Sequence, residues 1–217
     1  MTIKIDDIAA SLKHSKNTEV HLWVANYFDV MGHIERLKTL LSFCEQERAD
    51  AFHFKRDYVR YIYAHALLRL VLKLYTGLPP ENLNFFTNAS GKPFLSNNED
   101  IQFNLSHTKN LVAIAISPGF QIGVDVEKCI LFDDIDDVSK QIMISNEYKR
   151  FKELDKNRQV KFFFKCWVRK EAVVKAWGTG IEQNLSEIRV FEGLLTESPA
   201  ILYTNQKVGQ GAWRVED

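Results

Sequence analysis

Cysteine is scarce in this sequence, and the spacing of the few cysteines excludes two classes of small protein. Among 217 residues there are three, Cys44, Cys129 and Cys166. Because no C-x-x-C pair occurs, neither a disulfide framework nor a zinc knuckle is predicted. Free thiols are typical of reducing compartments, and we expect the protein to be cytoplasmic.

The sequence also lacks a surplus of either charge and any long hydrophobic run. Lys and Arg together number 28, as do Asp and Glu, so the formal net charge at pH 7 is zero. Dedicated nucleic-acid-binding domains usually carry a basic surplus. A membrane-spanning helix needs roughly 18 or more apolar residues in succession. We therefore expect no nucleic-acid partner and no membrane partner.

Apolar residues, by contrast, are plentiful enough for a sizeable core. They make up 46% of the chain, and aromatic residues 12%. Helical periodicity is predicted over 42–75, as one helix or two, and over 159–177. Strands are predicted over 20–28, 101–105, 111–116, 121–127, 188–191, 200–204 and 212–215.

The order of these elements predicts an α+β fold with two similar lobes. The boundaries are residues 1–117 for the N-terminal lobe and 120–217 for the C-terminal lobe. We expect each lobe to contain a small, mostly antiparallel sheet packed with a long helix. A pseudo-twofold would relate the two lobes.

The most informative stretch reads Gly-Val-Asp-Val-Glu-Lys at 123–128. On a strand, Asp125 and Glu127 would point to the same face, because side chains alternate. Neighbouring carboxylates repel one another unless a cation or a proton lies between them. Mg²⁺ prefers such oxygen ligands. The alternative interpretation is an ordinary half-exposed strand with acidic residues at its end.

A second stretch, at 165–175, reads Lys-Cys-Trp-Val-Arg-Lys-Glu-Ala-Val-Val-Lys. On a helix, Glu171 and Lys175 stand one turn apart on one face, and Trp167 stands one turn earlier. Such a Glu-Lys pair is commonly just a stabilising surface contact. The apolar neighbours predict a partly buried helix, where an ion pair favours a functional interpretation.

Other candidate groups lie beside predicted turns and on the first helix. His107 follows a predicted strand, in a polar loop of the kind that often carries function, although a lone histidine is commonly structural. Lys92 lies in a turn, and Arg48 and Arg60 lie on the first helix. Arg and Lys at such positions can bind phosphate.

Four motifs, taken in order, resemble the 4′-phosphopantetheinyl transferases of the larger, single-chain, two-lobed type that activates peptide and polyketide synthases. The motifs are G-K-P at 91–93, N-L-S-H at 104–107, G-V-D-V-E-K at 123–128 and W-V-R-K-E-A-V-V-K at 167–175. Each motif alone is a weak signal, but four in order form a strong one.

The resemblance implies that the chain transfers 4′-phosphopantetheine from coenzyme A to a serine of an apo acyl or peptidyl carrier protein. Adenosine 3′,5′-bisphosphate would be released. It further implies that Asp125, Glu127 and Glu171 hold Mg²⁺. Either Glu171 or Glu127 would remove the proton of the serine.

The resemblance also implies roles for residues that would contact coenzyme A. The resemblance implies that Lys175 contacts phosphate and assists the leaving group. His107, with Ser106 beside it, would contact the pyrophosphate. The nucleotide and its 3′-phosphate would be bound by Lys92, Arg48 and Arg60.

The resemblance implies a monomer with its active site in the cleft between the lobes. One position departs from the family pattern, because Glu45 stands close to where a basic residue is usual, a few positions before Arg48. Two other functions remain open from the residues alone. One is a binding module for coenzyme A or carrier proteins without catalysis, and the other is a metal-dependent phosphohydrolase.

Carrier proteins are typically acidic, so a basic docking surface is expected. The second long helix supplies five basic residues, Lys161, Lys165, Arg169, Lys170 and Lys175. By resemblance, the segment 141–148 also meets the carrier. Its apolar Ile142, Met143 and Ile144 are interpreted as core residues.

Overall fold

The computed structural model describes residues 19–26, 33–96, 98, 100–179 and 185–190, and the backbone of 200–203 and 212–215. The chain packs as two compact units. Unit 1 comprises Met1–Thr87 and Pro93–Gln121, and unit 2 comprises Asn88–Lys92 and Ile122–Asp217. The short segment Asn88–Lys92 therefore packs with the C-terminal part of the chain.

Unit 1 combines helices with small antiparallel sheets. Its elements are β1 (His21–Asn26), α1 (Ile34–Lys38), α2 (Phe43–Asp50), α3 (Lys55–Thr76), a 3₁₀ turn (Pro80–Asn82), β2 (Phe85–Thr87), β3 (Pro93–Leu95), β4 (Ile101–His107) and β5 (Leu111–Pro118). Strands β1, β5 and β4 form one antiparallel sheet in that order, and β2 pairs with β3 in a hairpin.

Helix α3 supplies much of the apolar surface of unit 1. Its Leu68 and Leu72 are buried in one cluster with Phe103 of β4 and Ile114 of β5. The helix ends at Gly77, whose φ of 71° lies in the left-handed region that glycine adopts readily. The stretch 42–75 thus forms two helices, α2 and α3.

Unit 2 is mainly helical. Its elements are α4 (Ile135–Ile142), α5 (Ser145–Lys152), α6 (Lys156–Trp177), a 3₁₀ turn (Leu185–Glu187) and a hairpin of β6 (Ala200–Tyr203) with β7 (Ala212–Val215). Helix α6 begins after Asp155, whose Oδ1 accepts a hydrogen bond from the Arg158 amide at 3.0 Å. It ends at Gly178, with φ 68°. Phe151, Phe162 and Cys166 are at the centre of the unit 2 core.

The predicted mixture of helices with small antiparallel sheets is confirmed, and two of the predicted strands are wrong. Residues 121–127 form no strand, and neither do 188–190. Ile188 and Val190 instead bury their side chains in the unit 2 core. Residue 191 lies outside the described residues. The pseudo-twofold relation stays a prediction.

None of the helices in the described part of the chain combines the length and the apolar character that crossing a bilayer requires.

Candidate active site

The segment that carries Asp125 and Glu127 lies directly on the backbone of α6. A Cβ atom at Gly123 would stand 1.9 Å from the Ala172 carbonyl oxygen and 2.5 Å from the Ala176 amide nitrogen. Only glycine permits this approach. This packing explains why 121–127 does not form the predicted strand, since its neighbour is a helix and offers no strand partner.

Asp125 is paired with Lys175 of α6. The Lys175 Nζ donates a hydrogen bond to Asp125 Oδ1 at 2.5 Å, and the Asp125 side chain is only 5% exposed. Lys175 was predicted to stand one turn from Glu171 on the same face. In the structure its ammonium group binds the carboxylate of the acidic segment, and charge-assisted contacts of this kind are the stronger hydrogen bonds.

Glu171 shares one electrostatic environment with the other two acidic residues. Burial raises the pKa of the half-buried Glu171, and the negative charges of Asp125 and Glu127 raise it further, while Lys175 opposes them. The structure thus brings together the three carboxylates predicted to bind metal. The Asp125 side chain is 5% exposed, whereas Glu127 is exposed, and the segment that carries both residues is not a strand.

The chemistry of this donor set fits a hard divalent cation. Burial is the main cause of the raised pKa of Glu171, and repulsion by the carboxylates of Asp125 and Glu127 adds to it; a bound cation would offset that repulsion. Within the described ranges, however, no three acidic, histidine or cysteine side chains form a ready metal site. Binding a cation would therefore require these carboxylates to converge further.

Lys92 lies in unit 2 and is buried, with 7% of its surface exposed. Its Nζ donates hydrogen bonds to the carbonyl oxygens of Ala176 at 2.6 Å and Ile122 at 3.2 Å. Burial lowers the pKa of Lys92 to about 8. The ammonium group predicted to bind the nucleotide thus binds main-chain carbonyls beside the acidic segment.

The remaining predicted site residues lie in unit 1. Ser106 is buried, whereas His107 is the exposed last residue of β4, so this strand continues two residues beyond the predicted end. Arg48 on α2 places its guanidinium 5.6 Å from the ring centroid of Tyr61. Arg60 on α3 lies 3.4 Å from Asp57, and its buried Nε has no hydrogen-bond partner among the described residues.

Glu45, the position that departs from the family pattern, has a structural role. Its carboxylate accepts hydrogen bonds from the Ser42 amide at 2.8 Å and from the buried Arg69 Nε at 2.8 Å. Burial alone would raise the pKa of Glu45, but hydrogen bonds from His65, Arg69 and Ser42 outweigh it and lower the pKa to about 2. The residue caps α2 and pairs with α3.

Sequence reasoning missed a fully buried ion pair between Glu147 and Lys170. The Lys170 Nζ lies 2.6 Å from Glu147 Oε2, and neither side chain is exposed. Lys170 also donates to the carbonyls of Ile142 and Leu185, and the Val190 amide donates to Glu147. A signal was present, because Lys170 falls in the helical stripe of buried residues that includes 163, 166 and 173.

This burial limits which basic residues can form the expected carrier-docking surface. Helical spacing predicts that the five basic residues of the second long helix cannot all face the site, and Arg169 at 2% and Lys170 at 0% exposure cannot meet a carrier. Ile142 and Met143 are buried at 7% and 4%, as predicted for core residues, whereas Ile144 is only half-buried.

Comparisons with known proteins match the same kind of protein along most of the chain. A family model described as "4′-phosphopantetheinyl transferase superfamily" matches residues 121–217, and one described as "4′-phosphopantetheinyl transferase, N-terminal" matches residues 30–119. Together they define a transferase, as the four sequence motifs predicted.

Individual relatives support the same class. The 4′-phosphopantetheinyl transferase HetI of Nostoc sp. is 33% identical over 189 residues, which span 86% of this chain and 78% of HetI. The 4′-phosphopantetheinyl transferase psf-1 of Bacillus pumilus is 31% identical over 153 residues, 70% of this chain and 64% of psf-1. The chain belongs to the 4′-phosphopantetheinyl transferase superfamily.

A solved structure of a holo-(acyl-carrier-protein) synthase from Bacillus anthracis in complex with CoA is also similar. Its TM-score is 0.37 at 11% identity, over 46% of this chain and 93% of that chain. A score this low does not establish a common fold, and family membership follows from the sequence matches alone.

Proposed function

We propose that this chain transfers the 4′-phosphopantetheine group of coenzyme A to a serine of an apo acyl or peptidyl carrier protein in a Mg²⁺-dependent reaction. The observation that carries this proposal is the clustering of Asp125, Glu127 and Glu171 beside Lys175. Family membership defines the type of group transferred, and the cluster supplies charges suited to a pyrophosphate substrate.

The serine oxygen of the carrier attacks the phosphorus atom that bears the pantetheine. A new P–O bond forms, the P–O bond to the other phosphate breaks, and adenosine 3′,5′-bisphosphate leaves. Serine is a weak nucleophile until a base removes its proton. Glu127 and Glu171 are the two candidates for this base, and burial makes the Glu171 carboxylate more basic than an exposed glutamate.

Asp125, Glu127 and Glu171 would hold Mg²⁺, which neutralises negative charge on the pyrophosphate oxygens when it is bound. Lys175 supplies a fixed positive charge beside them, 2.5 Å from Asp125. An ammonium group there can transfer its contact to a phosphate oxygen and stabilise the departing bisphosphate.

In unit 1, Arg48 and Arg60 would bind the nucleotide and its 3′-phosphate, and Ser106 and His107 would contact the pyrophosphate. The unpaired Nε of Arg60 supports this assignment, since a buried guanidinium donor without a partner is unfavourable until it meets an acceptor. The protein is proposed to act as a monomer.

Mass spectrometry of the carrier tests the reaction. Incubation with coenzyme A, Mg²⁺ and a panel of apo acyl and peptidyl carriers should add one phosphopantetheine to at least one carrier. A carrier whose acceptor serine is replaced by alanine is the control, and chelation of the metal should stop the reaction. An unchanged mass in every carrier would contradict the proposal. Release of phosphopantetheine into water without a carrier would indicate a phosphohydrolase.

A further inference from the structure

We propose that Lys92 is a positioning residue that, together with Asn88, clamps the C-terminal end of α6 to the segment carrying Asp125 and Glu127. In this role it sets where those carboxylates stand relative to Glu171. The inference rests on the metal assignment of the proposed function. It differs from the nucleotide-binding role that the family resemblance gives to Lys92.

The first contact of the clamp is with the end of α6. The last carbonyl groups of a helix have no partners within the helix and carry its negative partial charge. One of them, the Ala176 carbonyl, accepts a hydrogen bond from Lys92 Nζ at 2.6 Å. The carbonyl of Gly178, the residue that follows the last helical residue, accepts one from Asn88 Nδ2 at 2.8 Å. A cation and an amide thus complete this helix end.

The second contact is with the acidic segment. The same Lys92 ammonium donates to the carbonyl of Ile122 at 3.2 Å. Ile122 directly precedes Gly123, the residue that packs on the α6 backbone. One buried group therefore joins the helix of Glu171 to the start of the segment that carries the other two carboxylates.

The turn itself is built to hold Lys92 in place. Asn88 Oδ1 accepts hydrogen bonds from the amides of Ser90 at 3.0 Å and Lys92 at 2.9 Å. The stem of Lys92 packs so closely on Gly178 that a Cβ atom there would stand 2.8 Å from Lys92 Cδ. Burial of an ammonium group is unfavourable unless hydrogen bonds compensate. The two carbonyls provide such bonds, which favours a structural role for this lysine.

The direction in which metal affinity changes distinguishes a positioning role of Lys92 from an effect of its positive charge. If Lys92 acted only through its positive charge, its removal would strengthen the binding of a divalent cation. If it positions the carboxylates, its removal should weaken binding, and residues that orient metal ligands typically contribute about 10–100-fold. Lys92→Met removes the ammonium group and keeps an apolar stem. Asn88→Ala breaks the clamp without changing any charge.

The test combines three measurements on the full chain. Calorimetry measures Mn²⁺ binding without coenzyme A or carrier, hydrogen exchange follows the amides of 122–127 and 174–178, and steady-state kinetics gives KM for coenzyme A. We expect both variants to bind Mn²⁺ about 10-fold more weakly and to exchange faster in both segments. At saturating Mg²⁺, KM for coenzyme A should stay within about two-fold of the wild type, because no substrate contact is lost.

Ser90→Ala is the matched control, since Ser90 is an exposed residue of the same turn. It should match the wild type in all three measurements. Thermal unfolding of each variant confirms that it is folded, and Asn88→Ala keeps the test decisive if Lys92→Met does not fold.

Two results would overturn the proposal. One is a KM for coenzyme A raised about 10-fold or more in Lys92→Met with Mn²⁺ binding unchanged, which would make Lys92 a substrate contact. The other is unchanged or tighter Mn²⁺ binding with unchanged exchange in both variants. If the wild type modifies no carrier, the proposed function fails. The exchange measurement then still decides whether the clamp exists.

Discussion

At the scale of single residues, Glu45 shows how one carboxylate can join two helices. It accepts hydrogen bonds from the α2 cap and from Arg69 of α3, and these lower its pKa to about 2 from the ordinary value of 4.5. A carboxylate whose pKa is depressed by folding stabilises the protein above its unfolded pKa. That stabilisation is lost as the pH falls from about 4.5 towards 2.

Glu45→Gln should therefore destabilise the protein in a pH-dependent way. Near neutral pH we expect a loss on the order of 2–3 kcal/mol, since each pKa unit corresponds to about 1.4 kcal/mol. Urea unfolding at pH 7 and at about pH 3.5 measures the difference, which should shrink at the lower pH. Glu47→Gln, an exposed neighbour on α2, is the control. An equal penalty at both pH values would contradict the ionic role of Glu45.

Asp125 is the residue whose replacement tests the carboxylate cluster most directly. Asp125→Asn keeps an oxygen that can accept the Lys175 hydrogen bond and removes the charge that a metal requires. We expect transfer to fall by at least about 100-fold in Asp125→Asn and in Asp125→Ala, the upper end of what metal-site changes usually produce. The carrier mass assay measures the rate, and thermal unfolding checks the fold. Near wild-type activity in Asp125→Asn would refute the metal assignment, and Asp133→Asn is an exposed control.

At this scale the motifs predicted which residues lie close together. They predicted less well which atoms each of those residues contacts. Glu171 and Lys175 stand one turn apart on α6, as the helical spacing predicts, and Asp125 lies beside Lys175 because the acidic segment packs on that helix at Gly123. The contacts of Lys92 could not be predicted, because its carbonyl partners lie 30 and 84 positions away. Main-chain acceptors leave no signature in residue type.

At the scale of elements, α6 is the framework on which the acidic segment is built. The segment approaches the helix backbone at Gly123, where a Cβ atom would overlap Ala172 and Ala176. Gly123→Ala must therefore displace the segment from the helix. We expect it to lower transfer about 100-fold or more, because misplacement by about 1 Å can have that effect.

Gly119→Ala provides the comparison for this variant. Gly119 has a positive φ of 76° but open space around its Cα, so alanine there introduces backbone strain without a clash. We expect a stability loss of roughly 1–2 kcal/mol with transfer retained. If Gly123→Ala behaves in the same way, the close contact with α6 is not what positions the carboxylates.

The buried pair of Glu147 and Lys170 joins α5 and α6 to the segment 185–190. Removing one partner leaves a buried charge, which typically destabilises a protein by about 3–5 kcal/mol. Lys170→Met and Glu147→Gln should each do so in urea unfolding. The double variant Lys170→Met with Glu147→Gln should lose less than the sum of the two single variants. Strictly additive losses would indicate that the two side chains do not act as a pair.

Elements with strong local periodicity were predictable, and those set by distant packing were not. The two long helices follow from apolar spacing and from the glycines that end them, Gly77 and Gly178. The alternation at 121–127 imitates a strand, yet contact with α6 decides its conformation. Strands β2 and β3 have three residues each, which is too short to show the alternating pattern of apolar and polar residues that predicts a strand.

At the scale of the whole molecule, the zero net charge conceals specific pairs of opposite charges inside each unit. Glu45 with Arg69, Glu147 with Lys170, and Asp125 with Lys175 are all largely buried pairs. The composition gives only the total charge, because tertiary contacts decide which charged residues pair. Glu127 and Glu171 lie in the candidate site near the pair of Asp125 and Lys175.

The division of the chain into two compact units also does not correspond to a single boundary in the sequence. The two family matches meet between residues 119 and 121, whereas unit 2 also includes Asn88–Lys92. A fragment of residues 120–217 would therefore lack Lys92 and Asn88. Without their donors, the carbonyls of Ala176 and Gly178 lose the hydrogen bonds that complete the end of α6.

We expect the isolated fragment 120–217 to bind Mn²⁺ much more weakly than the full chain and to show fast amide exchange at 174–178. The matched control is a full-length protein with a protease site inserted between Gly119 and Phe120, both exposed, and cleaved after folding. This nicked protein is cut at the position where the fragment begins, but it retains Asn88–Lys92. It should therefore bind Mn²⁺ like the intact chain. Equal metal binding by the isolated fragment would show that unit 2 forms its carboxylate cluster without residues 88–92.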